Sequence, residues 1–220
     1  KLFGFRGGIQ PPDNKAQTAE MATEKMASPK MVYVPLQQHI GAPLDPIVKV
    51  GDKVLKGQKI ADSQAFMSTT IHSPVSGTVK RIEQRVFPLM GKANTIVIEN
   101  DGNDEWCELE KIENWQEAPV ADLLKLIREK GIVGIGGASF PTHIKLNPPK
   151  DTKIDTLVLN GAECEPYLNS DNRLMLEDPM AIVEGIKIIK KILGVETAVI
   201  GIEENKPEAI ASMKKACEGT

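Results

Sequence analysis

Cysteine is scarce: the 220 residues hold three, Cys107, Cys164 and Cys217, far apart and in no Cys-x-x-Cys pair. That argues against a disulfide framework and against a thiolate-ligated metal cluster built from this chain alone. It fits a reducing compartment. A basic excess is missing too. Lys+Arg number 27 against 30 Asp+Glu, and the pI is about 5.7, so no electrostatic footprint for nucleic acid is present. No apolar run approaches the ~20 residues that span a bilayer. The nearest candidate, "AIVEGIKIIKKILG", carries Glu184, Lys187, Lys190 and Lys191 and reads as an amphipathic helix. No secretory signal pattern is visible. The chain begins at Lys1 and stops in "EAIASMKKACEGT", where a helical pattern has just begun. It is expected to be a piece of a longer protein.

What is present falls into three parts. Residues 1–29 are polar and broken by Gly7-Gly8 and Pro11-Pro12. They are expected to form an extended arm, with at most a short helix over 18–26. Residues 30–105 carry short alternating runs, "MVYVPL", "PIVKVGDKVLKGQKIADS", "TIHSPVSGTVKRIE" and "NTIVIEND". Gly51-Asp52, Lys56-Gly57 and Ser76-Gly77 stand at expected hairpin turns, which predicts a small β barrel or sandwich. Residues 101–118 read as an acidic linker. From 116 to 220 helices and strands alternate. "APVADLLKLIREKG" has helical spacing and a stop at Gly131, and "IDTLVLN" reads as a buried strand. Asp178-Pro179 opens a further helix, "TAVIGIEEN" is a second strand, and "KPEAIASMKKA" a second crossover helix. Strand–helix–strand–helix order implies a parallel α/β sheet. The fold class is therefore α+β multidomain: a β module followed by an incomplete α/β domain.

Two segments carry candidate chemistry. "GIVGIGGASFPTHIKL" starts at Gly131 and places four glycines ahead of Phe140, Pro141 and Lys145. A helix precedes it, whereas the dinucleotide fingerprint needs a strand there, so the ordinary Rossmann reading fails. An anion cradle survives, because glycine backbone N–H groups converge on phosphate oxygens and Lys145 adds charge; a helix starting at "THIKL" would add free N–H groups. A loop with a solvated lysine fits the pattern equally well. The second segment, "LVLNGAECEP", puts Asn160, Glu163 and Glu165 after a strand, and "IGIEEN" puts Glu203 and Glu204 after the next. Carboxyl ends of parallel strands are where α/β sheets bind ligands. Cys164, flanked by two glutamates, is expected to be a packing residue rather than a reactive thiolate.

The β runs resemble the biotinyl/lipoyl-like barrel-sandwich fold, in which a turn between two strands presents a lysine for the prosthetic group. The corresponding segment here, "QAFMSTT" at 64–70, has no lysine, so neither biotin nor lipoate is expected. The loop Gly136-Gly137-Ala138-Ser139-Phe140-Pro141-Thr142 with Lys145, followed by Asn160-x-x-Glu163-x-Glu165-Pro166, resembles the flavin- and NADH-binding subunit of respiratory complex I. That family has an arginine where this chain has Ile135, and an aspartate where it has Ala162. The layout as a whole, with the opening "FRGGIQPPDNK", is similar to the RnfC family, a component of the Rnf complex, an ion-translocating ferredoxin:NAD oxidoreductase.

The resemblance implies an electron-input module using FMN and NAD(H). Two [4Fe–4S] clusters would lie in the rest of the full-length protein and none in this chain. Gly134, Gly136, Gly137 and Ala138 would line the flavin phosphate and ribityl chain, and Lys145 would offset the phosphate. Asn160 would bond the flavin or its ribityl chain, while Phe140, Glu163 and Glu165 would border the nicotinamide nucleotide. Glu203 and Glu204 lie near a further family contact, their register left open. No residue of the chain is implied as a catalytic acid or base. Implied partners are NADH, membrane subunits and a ferredoxin-like subunit, with the chain peripheral on the cytoplasmic side of the membrane. Two other relatives share parts of this layout: a cobalamin reductase flavoprotein of microcompartments, and a non-catalytic docking subunit like that of the Na⁺-translocating quinone reductase.

Overall fold

A computed structural model describes residues 11–88, 91–135 and 139–219. Its contacts divide the chain into two compact units, Met26–Lys153, and Lys1–Lys25 with Ile154–Thr220.

The first unit is built on two antiparallel sheets. One has the order β1 (Met31–Pro35), β7 (Gly91–Asn100), β6 (Gly77–Phe87), β3 (Lys53–Val54). The other has the order β2 (Asp45–Pro46), β4 (Lys59–Asp62), β5 (Ile71–His72). Alternating apolar residues turn inward from both sheets, and Val34, Leu36, Val54, Ile60, Ile71, Val79, Ile96 and Ile98 form the core. Gly51 and Gly57 take left-handed φ of 95° and 78° at the expected turns. At Ser76-Gly77 there is no tight hairpin. Gly77 instead opens β6, pressed so close to β7 that a Cβ would stand 2.0 Å from the Glu99 carbonyl oxygen.

The acidic linker is pinned rather than loose. Lys56 N–H donates to the Glu105 carbonyl and Cys107 N–H donates to that of Lys56. The Lys56 ammonium meets Asp104 at 2.6 Å and lies 4.8 Å from the centre of the Trp106 ring. Beyond it, α1 (Val120–Glu129) and the single turn α2 (Thr142–Lys145) complete the unit. Gly131 follows α1 with φ 67°, the left-handed residue expected after a helix end.

The second unit pairs β8 (Thr156–Asn160) with β9 (Thr197–Gly201) in parallel, Val158 opposite Val199. The connection carries α3 (Ser170–Glu177) and α4 (Pro179–Leu193), and α5 (Pro207–Ala216) follows β9. The Asp178 carboxylate accepts from Ala181 N–H at the start of α4, Pro179 takes the first turn, and Gly194 ends the helix at φ 67°. Met175, Val183, Ala209 and Met213 pack with Ile200 and Ile202. The strand expected to be buried is buried on that face alone: Val158 and Val199 are 67% and 51% exposed. A two-stranded sheet covered by helices on the Ile200 face leaves the other face open.

The N-terminal arm has no helix over 18–26. A short 3₁₀ turn at Lys15–Gln17 stands before it. From there the chain is held to the unit by side chains instead: Asn169 Nδ2 donates to the Lys15 carbonyl and the Thr18 hydroxyl, and Thr23 N–H donates to Glu177.

Candidate functional site

The glycine segment belongs to the first unit. After Gly131 the chain doubles back on itself. Gly134 N–H donates to the Phe140 carbonyl at 2.9 Å, and Thr142 N–H to that of Ile132 at 3.1 Å. Gly136, Gly137 and Ala138, expected in the cradle, lie outside the described residues. Ser139 holds a left-handed φ of 49°. Ile135, in the position of the family's arginine, is fully exposed. Residues "THIK" do form helix, with Pro141 as the residue before it. That one turn brings Lys145 back over Gly134, where a Cβ would stand 3.7 Å from Lys145 Nζ and 3.8 Å from both N and O of Phe140. A side chain at 134 would fill the space that the ammonium faces. Lys145 is exposed and has no ion-pair partner among the described residues. A free cation over glycine backbone suits a phosphate monoester.

The end of α1, next to this segment, rests on the β4–β5 turn. Thr69 and Thr70 hydroxyls donate to the Arg128 carbonyl at 2.9 and 3.1 Å, and Thr70 also to that of Glu129 at 2.9 Å. Arg128 reaches Asp62 at 2.8 Å, and Lys59 reaches Glu129 at 2.7 Å. The Glu129 hydrogen bond holds the Lys59 ammonium above its ordinary pKa. Lys59 in turn holds Glu129 below the carboxylate range. Burial would raise Asp62, but hydrogen bonds from Lys59 and Arg128 prevail and lower it.

All three histidines of the chain are near this joint. His39 Nε2 accepts from Thr69 N–H at 3.2 Å, and His72 meets the Glu129 backbone, with Lys130 and Lys59 nearby. His143, facing Arg128 and His39, has a buried Nδ1 with no hydrogen-bond partner. Burial is the leading cause that lowers all three pKa values.

A pH dependence follows. The unfolded chain protonates these imidazoles more readily than the folded one, so the unfolded state binds more protons at mildly acid pH. Their contribution to stability is full above the ordinary histidine pKa of 6.5 and is lost as pH falls through the lowered folded values. Asp62 and Glu129 add a second loss below about pH 4, while the Lys59 contribution persists throughout. The urea midpoint of the β unit is expected to drop between pH 8 and pH 5.5. A midpoint that is flat or rises over that range contradicts the assignment.

The acidic cluster lies in the second unit. Gly161 crosses β9 so closely that a Cβ would stand 3.1 Å from the Gly201 carbonyl and 3.3 Å from Met175 Sδ. The chain then turns outward, with Asn160 Oδ1 accepting from Ala162 N–H.

Glu163, expected to border a nucleotide, instead turns inward and is 4% exposed. Its Oε1 accepts from Asp171 N–H at 2.7 Å in the first turn of α3. Its Oε2 lies 3.8 Å from Lys206 Nζ, beyond hydrogen-bond reach, and has no hydrogen-bond partner. Lys15, buried on the arm, donates to the Glu163 carbonyl and stands 3.9 Å from Glu203, whose carboxylate accepts from Glu163 N–H. Lys206 donates to Asn169 at 2.7 Å.

Two lysines and two glutamates thus hold the loop from beneath. Asn160, Glu165 and Glu204 face solvent. Cys164 is exposed as well, not packed, because the outward turn lifts it away from the core. Asp171, which sequence reading passed over, lines a cavity of about 280 Å³ with Asn160, Met175 and Ile200. Burial, then the charges of Glu163 and Glu165, raise its pKa.

Two family profiles match the chain. The RnfC barrel sandwich hybrid domain covers residues 3–103, and the Nuo51 FMN-binding domain covers residues 127–220. The RnfC-type component of the proton-translocating ferredoxin:NAD(+) oxidoreductase complex of Clostridium ljungdahlii is 53% identical over the whole chain. The chain belongs to the RnfC family. The corresponding component of the Na(+)-translocating ferredoxin:NAD(+) oxidoreductase complex of Acetobacterium woodii is 45% identical over 96% of the chain. That of the ion-translocating oxidoreductase complex of Rhodobacter capsulatus is 44% identical over 97%. The chain spans 48%, 48% and 41% of those three relatives, about half their length or less. Its RnfC barrel-sandwich module and flavin-type domain follow one another in the order read from the sequence. The FMN-binding profile starts at residue 127, yet residues up to Lys153 pack in the barrel unit. Among the described residues no helix is long and apolar enough to cross a membrane, and no cluster of metal-ligating side chains occurs.

Proposed function

We propose that this chain is the FMN-binding, NADH-facing part of the electron-input subunit of a membrane-bound ion-translocating ferredoxin:NAD oxidoreductase. The observation that carries the reading is the unpaired Lys145 ammonium set over Gly134, in a segment that matches an FMN-binding domain. When bound, FMN supplies hydride acceptance and the conversion from two-electron to one-electron transfer. The chain's own residues bind and orient. Gly134 and the neighbouring Gly136, Gly137 and Ala138 leave room for phosphate oxygens and offer backbone N–H groups. Lys145 offsets the phosphate charge. Phe140 borders the nicotinamide nucleotide, and Asn160, Glu165 and Glu204 present acceptors to ring N–H groups and hydroxyls. Glu163 and Glu203 act from beneath, by fixing the loop that carries Glu165.

In the division of labour we propose, residues 1–29 are a tethering arm, 30–105 the barrel module and 116–220 the flavin part. The remainder of the full-length protein would hold two [4Fe–4S] clusters. Partners would be membrane subunits and a ferredoxin-like subunit, with the protein peripheral on the cytoplasmic side. The test is anaerobic mixing of FMN-loaded full-length protein with NADH. Bleaching of the flavin absorbance is expected; flavin that stays oxidised leaves a docking role without electron transfer.

A further inference from the structure

We propose that the β4–β5 turn of the barrel, in place of a carrier lysine, positions the phosphate-binding segment; the inference rests on the flavin reading above. In a carrier domain this turn projects into solvent to present its lysine. Here Ser68, Thr69 and Thr70 are at most 2% exposed. Their burial is not that of a strand core. Thr69 and Thr70 aim their hydroxyls at the last carbonyls of α1, which have no partners within the helix. Arg128 closes the joint from the other side, to the Asp62 carboxylate at 2.8 Å and the Ser63 carbonyl at 2.6 Å. Gly131 crosses the turn with its α-carbon so near that a Cβ would stand 2.4 Å from the Thr70 carbonyl oxygen.

This joint has a consequence beyond stability. Only Ile132 and Val133 separate Gly131 from Gly134, and both are locked. Val133 bridges to Pro141, and the Ile132 carbonyl accepts from Thr142 N–H. The α2 turn that carries Lys145 packs against α1. A shift of the α1 end therefore moves the Gly134 backbone and the Lys145 ammonium. Misplacement of about 1 Å is enough to weaken a preorganised site. The barrel module of this family member is thus a positioning element for the flavin phosphate, and Thr69, Thr70, Asp62 and Arg128 are positioning residues.

The experiment uses full-length protein and the double variant T69V/T70V, which keeps side-chain shape and removes both hydroxyl donors. FMN affinity is read by fluorescence quenching, and backbone hydrogen exchange is followed across 132–146 without flavin. The expected result is an affinity about tenfold weaker, the order of two or three lost hydrogen bonds. Faster exchange confined to that segment is expected alongside, and T69S/T70S should restore both. Should T69V/T70V fail to fold, D62N, which loosens only the Arg128 anchor, should show the same two changes at smaller size. Unchanged affinity together with unchanged exchange overturns the proposal. If the parent protein binds no FMN, the flavin reading fails, and exchange across 132–146 still decides whether the turn positions the segment.

Discussion

Glu163→Ala is expected to cost the α/β unit about 3–5 kcal/mol, the range for removing one member of a buried ion pair. The size follows from what the carboxylate holds. It caps α3 through Asp171 N–H and is the anionic neighbour of the buried Lys206, which is 8% exposed. It also sits in the loop that Lys15 clamps from the arm. Alanine leaves Lys206 with Asn169 alone and removes an acceptor from the start of α3. Glu163→Gln keeps the acceptor and loses only the charge, so it should recover more than half of the loss. Urea unfolding followed by far-UV circular dichroism measures both. A loss below about 1 kcal/mol in the alanine variant would show that Glu163 faces the ligand rather than the core. The same pair of variants separates two kinds of nucleotide-site residue. Glu165→Ala, an exposed position, should leave stability unchanged.

Lys145→Glu should weaken FMN binding by about 100-fold or more while leaving the melting temperature where it was. The ammonium is exposed and pairs with no carboxylate among the described residues, so the fold loses nothing when it goes. A charged hydrogen bond to phosphate is worth ~1.5–3 kcal/mol, and reversing the charge adds repulsion to the loss. Riboflavin, which lacks the phosphate, supplies the control. Its weaker affinity should be the same in parent and variant. Fluorescence titration of the full-length protein with both ligands reads the result. Equal loss for riboflavin and FMN would place Lys145 away from the phosphate. An unchanged FMN affinity would remove it from the site.

Much of this protein is local information. Helix α4 announces itself through Asp178, Pro179 and Gly194, because cap and stop chemistry is set by residues adjacent in sequence. The strands of the barrel follow from alternation and from glycines whose left-handed φ only glycine adopts cheaply. The glycine segment and the Asn160–Glu165 cluster are legible for the same reason: contiguous residues do contiguous work. The misreadings share the opposite cause. Glu163 looks like Glu165 in sequence, but the path of the loop sends one inward and the other outward. The arm was expected to be extended and inert, yet Lys15 is 6% exposed and donates to the Glu163 carbonyl 148 positions away. No pattern near residue 15 signals a buried ammonium, because its counter-charges come from Glu203 and the loop it grips.

The carrier-like turn shows the division most sharply. Sequence alone determined that it has no lysine at 64–70, and so what it does not carry. Only the tertiary structure decided what occupies that place. Thr69 and Thr70 are ordinary strand-edge residues until α1 brings its last carbonyls against them. Such a contact is between groups far apart in the chain, and its strength comes from burial that no local window contains. The order of modules, the caps and the glycine cradle were set by neighbours along the sequence. Which acids face a ligand, and what steadies the cradle, were set by neighbours in space.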